Sequence, residues 1–373
     1  MGEGAIPVNE PLLTGNERRY LAECIDTGWI SSEGPFVRRL EDGMAALTGR
    51  RHGIAVTNGS AALECAVHAL GIGPGDEVIL PTFTIISCAA AVVRAGATPV
   101  LVDSDPSTWC MDVGQVEARI TSRTRAIMAV HIYGLPVDMD PLVALCEHYD
   151  LFLIEDAAEA HGLLYRRRPC GSFGQISVFS FYPNKHVTTG EGGMIVTDDP
   201  DLAEKCRSLR NLCFQLGRRF VHEQLGWNLR MSNLQAAVGV AQLERLQEHV
   251  ERKHRMGARY TQEFQGVPSL QLPMPTTNYA ENVYWVFGVV LNKDVPFDAE
   301  HFALRLAKLG VGTRPFFWPM HEQPVLQRMG LFRNEKHPVA ERLGRRGLYL
   351  PSGLALTDPQ IDTVVAAVRE ALR

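Results

Sequence analysis

The sequence predicts an α/β protein built on a mostly parallel sheet, and three observations predict it. Five short apolar runs recur between residues 77 and 181, separated by segments long enough to be helices. The runs are nearly continuous in apolar residues instead of alternating with polar ones, as expected of strands buried on both faces. Their polar ends carry paired carboxylates and a lysine, at the edge where an open parallel sheet collects its ligands.

The runs are EVILP (77–81), ATPVLVD (97–103), AIMAVHIYG (126–134), DLFLIEDAA (150–158) and ISVFSF (176–181). Ahead of them, Asn58-Gly59-Ser60 opens a helix whose apolar stripe is Leu63, Val67 and Leu70. From Asn233 to about Phe264, Leu234, Val238, Leu243, Leu246 and Val250 follow helical spacing, which predicts one long helix leaving the sheet. The Pro-rich segment 266–278 then changes the character of the chain. Strands near 283–291 and helices near 298–309 and 358–372 complete a smaller α+β unit. The expected division is a large domain over 1–250 and a small C-terminal domain over 251–373.

Composition excludes several functions. A formal net charge of −5 over 373 residues offers no global field for nucleic acid or an anionic membrane. Arg166 to Arg168 is the longest basic run and Arg218-Arg219 is one of several pairs, and such short runs are ordinarily solvated loops. No apolar stretch reaches the roughly 18 residues of a membrane span. Met1-Gly2-Glu3-Gly4 lacks the basic-then-apolar layout of a signal peptide, so a cytoplasmic protein is expected. The eight cysteines are scattered without a C-x-x-C pair, the pattern of reduced core thiols. His-Glu occurs at His222 and His321 with no second histidine at helical spacing, so no metal site is expected.

Three polar strand ends carry chemistry. Gly59 and Ser60 at a helix start supply free N–H groups and a hydroxyl, which suit a phosphate, although an ordinary serine cap has the same sequence. Glu155 and Asp156 are adjacent carboxylates of which only one can face a given ligand, and alternation alone does not choose between them. Lys185, between an aromatic run and the block TTGEGG, can become a nucleophile toward an aldehyde if its amine pKa is lowered in a cleft. A phosphate, a ring nitrogen and an aldehyde together describe pyridoxal 5′-phosphate.

The motifs NGSAAL, GPGDEVILPTFT, GATPVLVD, HIYG, IEDAAEAHG, SFYPNK, TTGEGGM, GWNLRMSNLQAAVG and RPFFWPMH run in order from about Pro7 to the C-terminus. In them the chain resembles the DegT-type nucleotide-sugar aminotransferases of PLP fold type I. The resemblance implies an aspartate aminotransferase-like fold and a homodimer that uses L-glutamate and a nucleotide sugar. It matches Lys185 to the cofactor-bonding lysine and Asp156 to the partner of the pyridine nitrogen. Gly59, Ser60, Ala61 and Ser180 match phosphate contacts, and Asn228 matches an asparagine that reaches the neighbouring subunit's cofactor. Glu159 stands beside the cofactor's 3′-oxygen, as in the perosamine-forming branch, which aminates C4 of GDP-4-keto-6-deoxymannose. Ile85 replaces an aromatic ring that many relatives place against the cofactor face.

For substrate, the resemblance points to Trp29, Ser31, Tyr182, Arg230, Arg314 and His321. Taken singly, Trp29, Tyr182 and Trp318 read as core packing, and Arg230 as a structural ion pair. Relatives that dehydrate at C3 carry histidine at the lysine position, whereas here the lysine stands and His186 is one place later. Competing readings are an aminotransferase for a dTDP or UDP sugar acting at C3 or C4, and a PLP-fold regulator without turnover. A Rossmann dehydrogenase is set aside, because G-I-G-P-G-D at 71–76 spoils the glycine pattern and precedes a strand.

Overall fold

Each predicted apolar run forms a strand, and two further strands close the sheet. In the computed structural model, which describes residues 5–373 apart from residue 216, Met1 to Gly4 lie outside the described residues. The strands are β1 (His52–Val56), β2 (Glu77–Pro81), β3 (Thr98–Val102), β4 (Thr124–Val130) and β5 (Phe152–Asp156). A two-stranded hairpin, β6 (Leu164–Tyr165) and β7 (Arg168–Pro169), precedes β8 (Ile176–Ser180) and β9 (Gly193–Thr197). The main sheet has the order β1-β9-β8-β5-β4-β2-β3. Pairings from β8 to β3 are parallel, while β9 runs antiparallel between β8 and β1.

Helices Gly59–Ala69, Ile86–Arg94 and Met139–Tyr149 connect successive strands, and they carry Leu63, Val67, Val92 and Leu142 into the core. A second sheet, β10 (Leu270–Gln271), β11 (Phe287–Leu291), β12 (Arg314–Pro315) and β13 (Gly347–Leu350), has the order β10-β11-β13-β12 and is antiparallel. It packs its own core, including Tyr260, Phe264, Phe287 and Phe302.

One expectation is corrected. The single helix predicted from Asn233 to Phe264 is two helices, Asn233–Leu243 and Leu246–Phe264. Side chains at the break are held by the N-terminal segment. Glu244 accepts from the Tyr20 hydroxyl at 2.6 Å and from Asn16 at 2.7 Å, and Arg245 donates to Thr14 at 2.6 Å. An apolar period survives such a break because both halves still face the interior. Residue 250 lies within the second helix, whose Leu246 and Val250 join the first core and whose Met256, Tyr260 and Phe264 join the second. Among the described residues no helix is long and apolar enough to cross a membrane, and all eight cysteines are buried and free.

Candidate active site

The site assembles where β5 and β8 end, beside the start of the helix Gly59–Ala69. Asn58 is extended there, and its Oδ1 accepts the Ala61 N–H at 2.8 Å. The first-turn N–H groups of Gly59 and Ser60 have no intrahelical acceptor, so they remain for a ligand at the positive end of the helix. Glycine is needed at 59 and 193 for close approach. A Cβ at 59 would stand 2.8 Å from that of Ser180, and one at 193 would stand 2.5 Å from the Asn58 carbonyl oxygen. Ser60 Oγ lies 2.6 Å from Ser87 Oγ, which belongs to the first turn of Ile86–Arg94.

The ambiguity between Glu155 and Asp156 is resolved by the sheet. Asp156 lines this recess, while Glu155 does not. Asp156 is 2% exposed; it accepts the Ala158 N–H at 3.1 Å and the Cys88 thiol at 3.3 Å. Burial pushes its carboxyl up, against the opposing pull of those donors and of the Lys185 and His131 charges. Burial pushes the Cys88 thiol well up too, so it stays protonated as a donor.

Lys185 closes a turn, its N–H donating to the Tyr182 carbonyl at 2.9 Å. The threonines that follow tie the loop back onto Phe181, through the Thr189 N–H at 3.0 Å and the Thr188 hydroxyl at 2.9 Å. The Lys185 amine is buried, 3.7 Å from Glu159 Oε1. Glu159 Oε2 accepts the Tyr133 N–H at 2.8 Å. Burial lowers the amine's pKa and raises Glu159 to about 7, while the attraction between the two charges opposes both shifts. The recess encloses about 460 Å³, and Trp285, Phe317 and Tyr349 from the second unit form part of its wall.

Of the residues singled out from sequence, Gly59, Ser60, Asp156, Glu159, Ser180, Tyr182, Lys185 and Arg314 share this recess, together with Ile85. Ala61 is buried with its N–H already taken by Asn58. Trp29, Ser31 and Arg230 line a different recess of about 820 Å³, beside Arg207, Arg210 and Arg219. Its rim is fixed by Asn233, which donates to the Trp29 carbonyl at 2.6 Å and to the Ser31 carbonyl at 2.8 Å. Asn228 bridges Asn211 two residues before Arg230, whose guanidinium donates to the Asn211 side chain at 2.6 Å. That neutral partner takes the place of the ion pair considered for Arg230. His321 lines neither recess: it is buried, bonded to Thr82 at 2.9 Å and Glu341 at 3.2 Å through its two ring nitrogens. Trp29, Tyr182 and Trp318 are 51%, 40% and 43% exposed, so core packing does not explain them.

Sequence reasoning missed Ser87, Cys88 and Trp285. Ser87 had a readable signal, since it sits in the first turn of the helix that follows EVILPTFT, as Ser60 does in the helix after β1. The other two enter through tertiary packing and left no local mark.

The family model described as the DegT/DnrJ/EryC1/StrS aminotransferase family matches residues 11–369. The chain is 44% identical to GDP-perosamine synthase of Caulobacter vibrioides over 367 residues, 98% of each protein. It is 40% identical to GDP-perosamine synthase of Escherichia coli O157:H7, again over 98% of each. Among solved structures it is similar to S. venezuelae DesV, with a TM-score of 0.88 at 36% identity, covering 96% of this chain and 94% of that one. The chain therefore belongs to the DegT/DnrJ/EryC1/StrS aminotransferase family and is an aminotransferase.

Proposed function

We propose, on the premise of that family membership, that this aminotransferase moves an amino group from L-glutamate to C4 of GDP-4-keto-6-deoxy-D-mannose, giving GDP-perosamine. Its cofactor is pyridoxal 5′-phosphate, and the residues present fit that group: unpaired N–H groups and hydroxyls for an anion, a buried carboxylate for a cationic ring nitrogen, and an amine for an aldehyde. The observation that carries the reading is the meeting of Lys185, Asp156 and the Gly59-Ser60 helix start in one recess. When bound, the cofactor supplies an aldehyde that carries the amino group and a ring that accepts electrons.

The protein's own residues do the rest. Gly59, Ser60, Ser180 and Ser87 would hold the phosphate through N–H and hydroxyl donors at the helix start. Asp156, kept dry and short of donors, would favour a protonated ring nitrogen, because a nearby cation is what relieves a desolvated carboxylate. The Lys185 amine would bond that aldehyde and, when released, would be the group placed to carry a proton beside it. Glu159 takes up or returns a proton beside that amine, since its own pKa lies near neutrality. Tyr182 and Arg314, both exposed at the rim, meet the nucleotide diphosphate.

The second recess has basic and aromatic walls and, among the described residues, no lysine or buried carboxylate. We assign it to a homodimer in which Asn228, Arg230, Trp29 and Ser31 complete the partner's site. The nearby Phe220 and Leu225, 80% and 92% exposed, favour burial against a second copy.

The test is a product assay with purified protein, L-glutamate and GDP-4-keto-6-deoxymannose, with amine position read by NMR. GDP-perosamine formation is expected. Turnover only with UDP- or dTDP-linked keto sugars would replace the substrate while keeping the reaction, and no turnover with any keto sugar would overturn the reading.

A further inference from the structure

Trp285 is held in place from four directions. It follows Tyr284, whose φ of 46° lies in the left-handed region that an aromatic residue adopts only under constraint. The constraints are visible. Asn282 Oδ1 accepts the Tyr284 N–H at 2.7 Å, and the Val283 N–H donates to the Gly134 carbonyl at 2.9 Å. The Trp285 carbonyl accepts from Lys253 at 2.8 Å, and Lys253 also binds the Ser352 carbonyl. On the ring, Nε1–H donates to the carbonyl of Asn184, the residue before Lys185, at 2.8 Å. The indole is thus fixed relative to the lysine's own backbone. Its face stands 3.6 Å from Lys185 Nζ, measured to the ring centroid. The nearest carboxylate oxygen among the described residues, on Glu159 at 3.7 Å, is beyond direct hydrogen-bond length.

We infer that the Trp285 indole face is the resting seat of the Lys185 ammonium whenever that amine is not bonded to another group. The inference rests on the reading of Lys185 as the cofactor-bonding lysine. A π face suits this task better than a carboxylate would. It attracts the cation through the ring quadrupole yet has no basic atom, so it does not compete for the proton that the amine must move. The groups facing the amine are Asp156 at the end of β5, Glu159 and His161 in the turn after it, and Lys253 on the helix Leu246–Phe264. Burial lowers the amine's pKa and the two carboxylates raise it; by its quadrupole the ring acts on the same side as the carboxylates.

The test is competitive acetylation of full-length, cofactor-free protein across pH, with the extent of labelling at Lys185 read by peptide mass spectrometry. Trp285→Leu keeps an apolar wall without the quadrupole and should lower the apparent Lys185 pKa by about one unit. Trp285→Phe keeps a weaker face and should lower it by about half as much. An unchanged or raised pKa in the Leu variant overturns the seat. If that variant does not fold, the Phe variant decides in the same way. The premise fails separately: a borohydride-fixed cofactor found on another lysine overturns the functional reading, whereas one found on Lys185 with a pKa indifferent to Trp285 overturns the seat alone.

Discussion

Glu155 and Asp156 are neighbours on one strand, equally removed from water, and they live in opposite chemical states. Glu155 is saturated: His131 at 2.9 Å, the Gly171 N–H at 2.5 Å, the Phe173 N–H at 2.9 Å and the Ser177 hydroxyl at 2.9 Å share its two oxygens. Asp156 has one backbone N–H and one thiol, both at longer range. A carboxylate supplied with four donors anchors the loop after β7 and has nothing left to offer a ligand. One left short of donors is an unmet demand for positive charge, and the proposed site uses that demand. Adjacent residues therefore divide structure from chemistry because alternation sends them to opposite faces of the sheet.

The largest break in this comparison comes from the amine that serves the working face. Lys185→Ala should reduce transamination by at least about 10⁴-fold with an unchanged circular dichroism spectrum, since nucleophile and proton carrier are lost together. Next is the pair itself. Asp156→Asn keeps the shape and removes the charge, so turnover should fall about 10²- to 10⁴-fold while the melting temperature holds or rises. Glu155→Gln should do the reverse, costing about 2–4 kcal/mol of stability in denaturant titration and sparing the activity of the molecules that remain folded. Equal activity losses in the two variants would erase the distinction.

A smaller effect sharpens it through pH. Glu159 has a folded pKa of about 7, raised from 4.5 mainly by burial. The folded chain therefore binds this proton more tightly than the unfolded chain does. That contribution is fully present below pH 4.5 and is lost as pH rises through 7. Asp156, also raised, acts in the same sense. In cofactor-free protein, Glu159→Gln should flatten the fall in melting temperature between those two pH values, and an unchanged slope would remove Glu159 from the account. Smallest of all, Ser87→Ala should weaken cofactor binding about 5- to 10-fold by equilibrium dialysis, the scale of one hydrogen bond.

Much of this was legible in the sequence because it depends on local periodicity. Buried parallel strands write themselves as apolar runs, and helix starts announce themselves by Asn58 and Ser60. What alternation could not provide was the facing of Glu155 against Asp156, since that depends on which face the 171–173 loop and the helix Ile86–Arg94 cover. The helix break at Glu244 was hidden because its cause, Tyr20 and Asn16, lies more than two hundred residues away in sequence. Trp285 was hidden for the same reason, as it reaches the recess from the second unit. His321 was misleading for a simpler cause: its ring is engaged at both nitrogens by Thr82 and Glu341, which no local pattern reports.

Two buried lysines lie close to the recess, and both have amines whose pKa burial lowers, Lys253 to about 7. Only Lys185 lines the cavity with Asp156, while Lys253 is spent on the carbonyls of Trp285 and Ser352. The most direct test is to load the protein with pyridoxal 5′-phosphate, reduce it with borohydride and map the fixed cofactor by peptide mass spectrometry. The account predicts the added mass on Lys185 and on no other lysine. The same mass on Lys253, or its absence from every peptide, would contradict it.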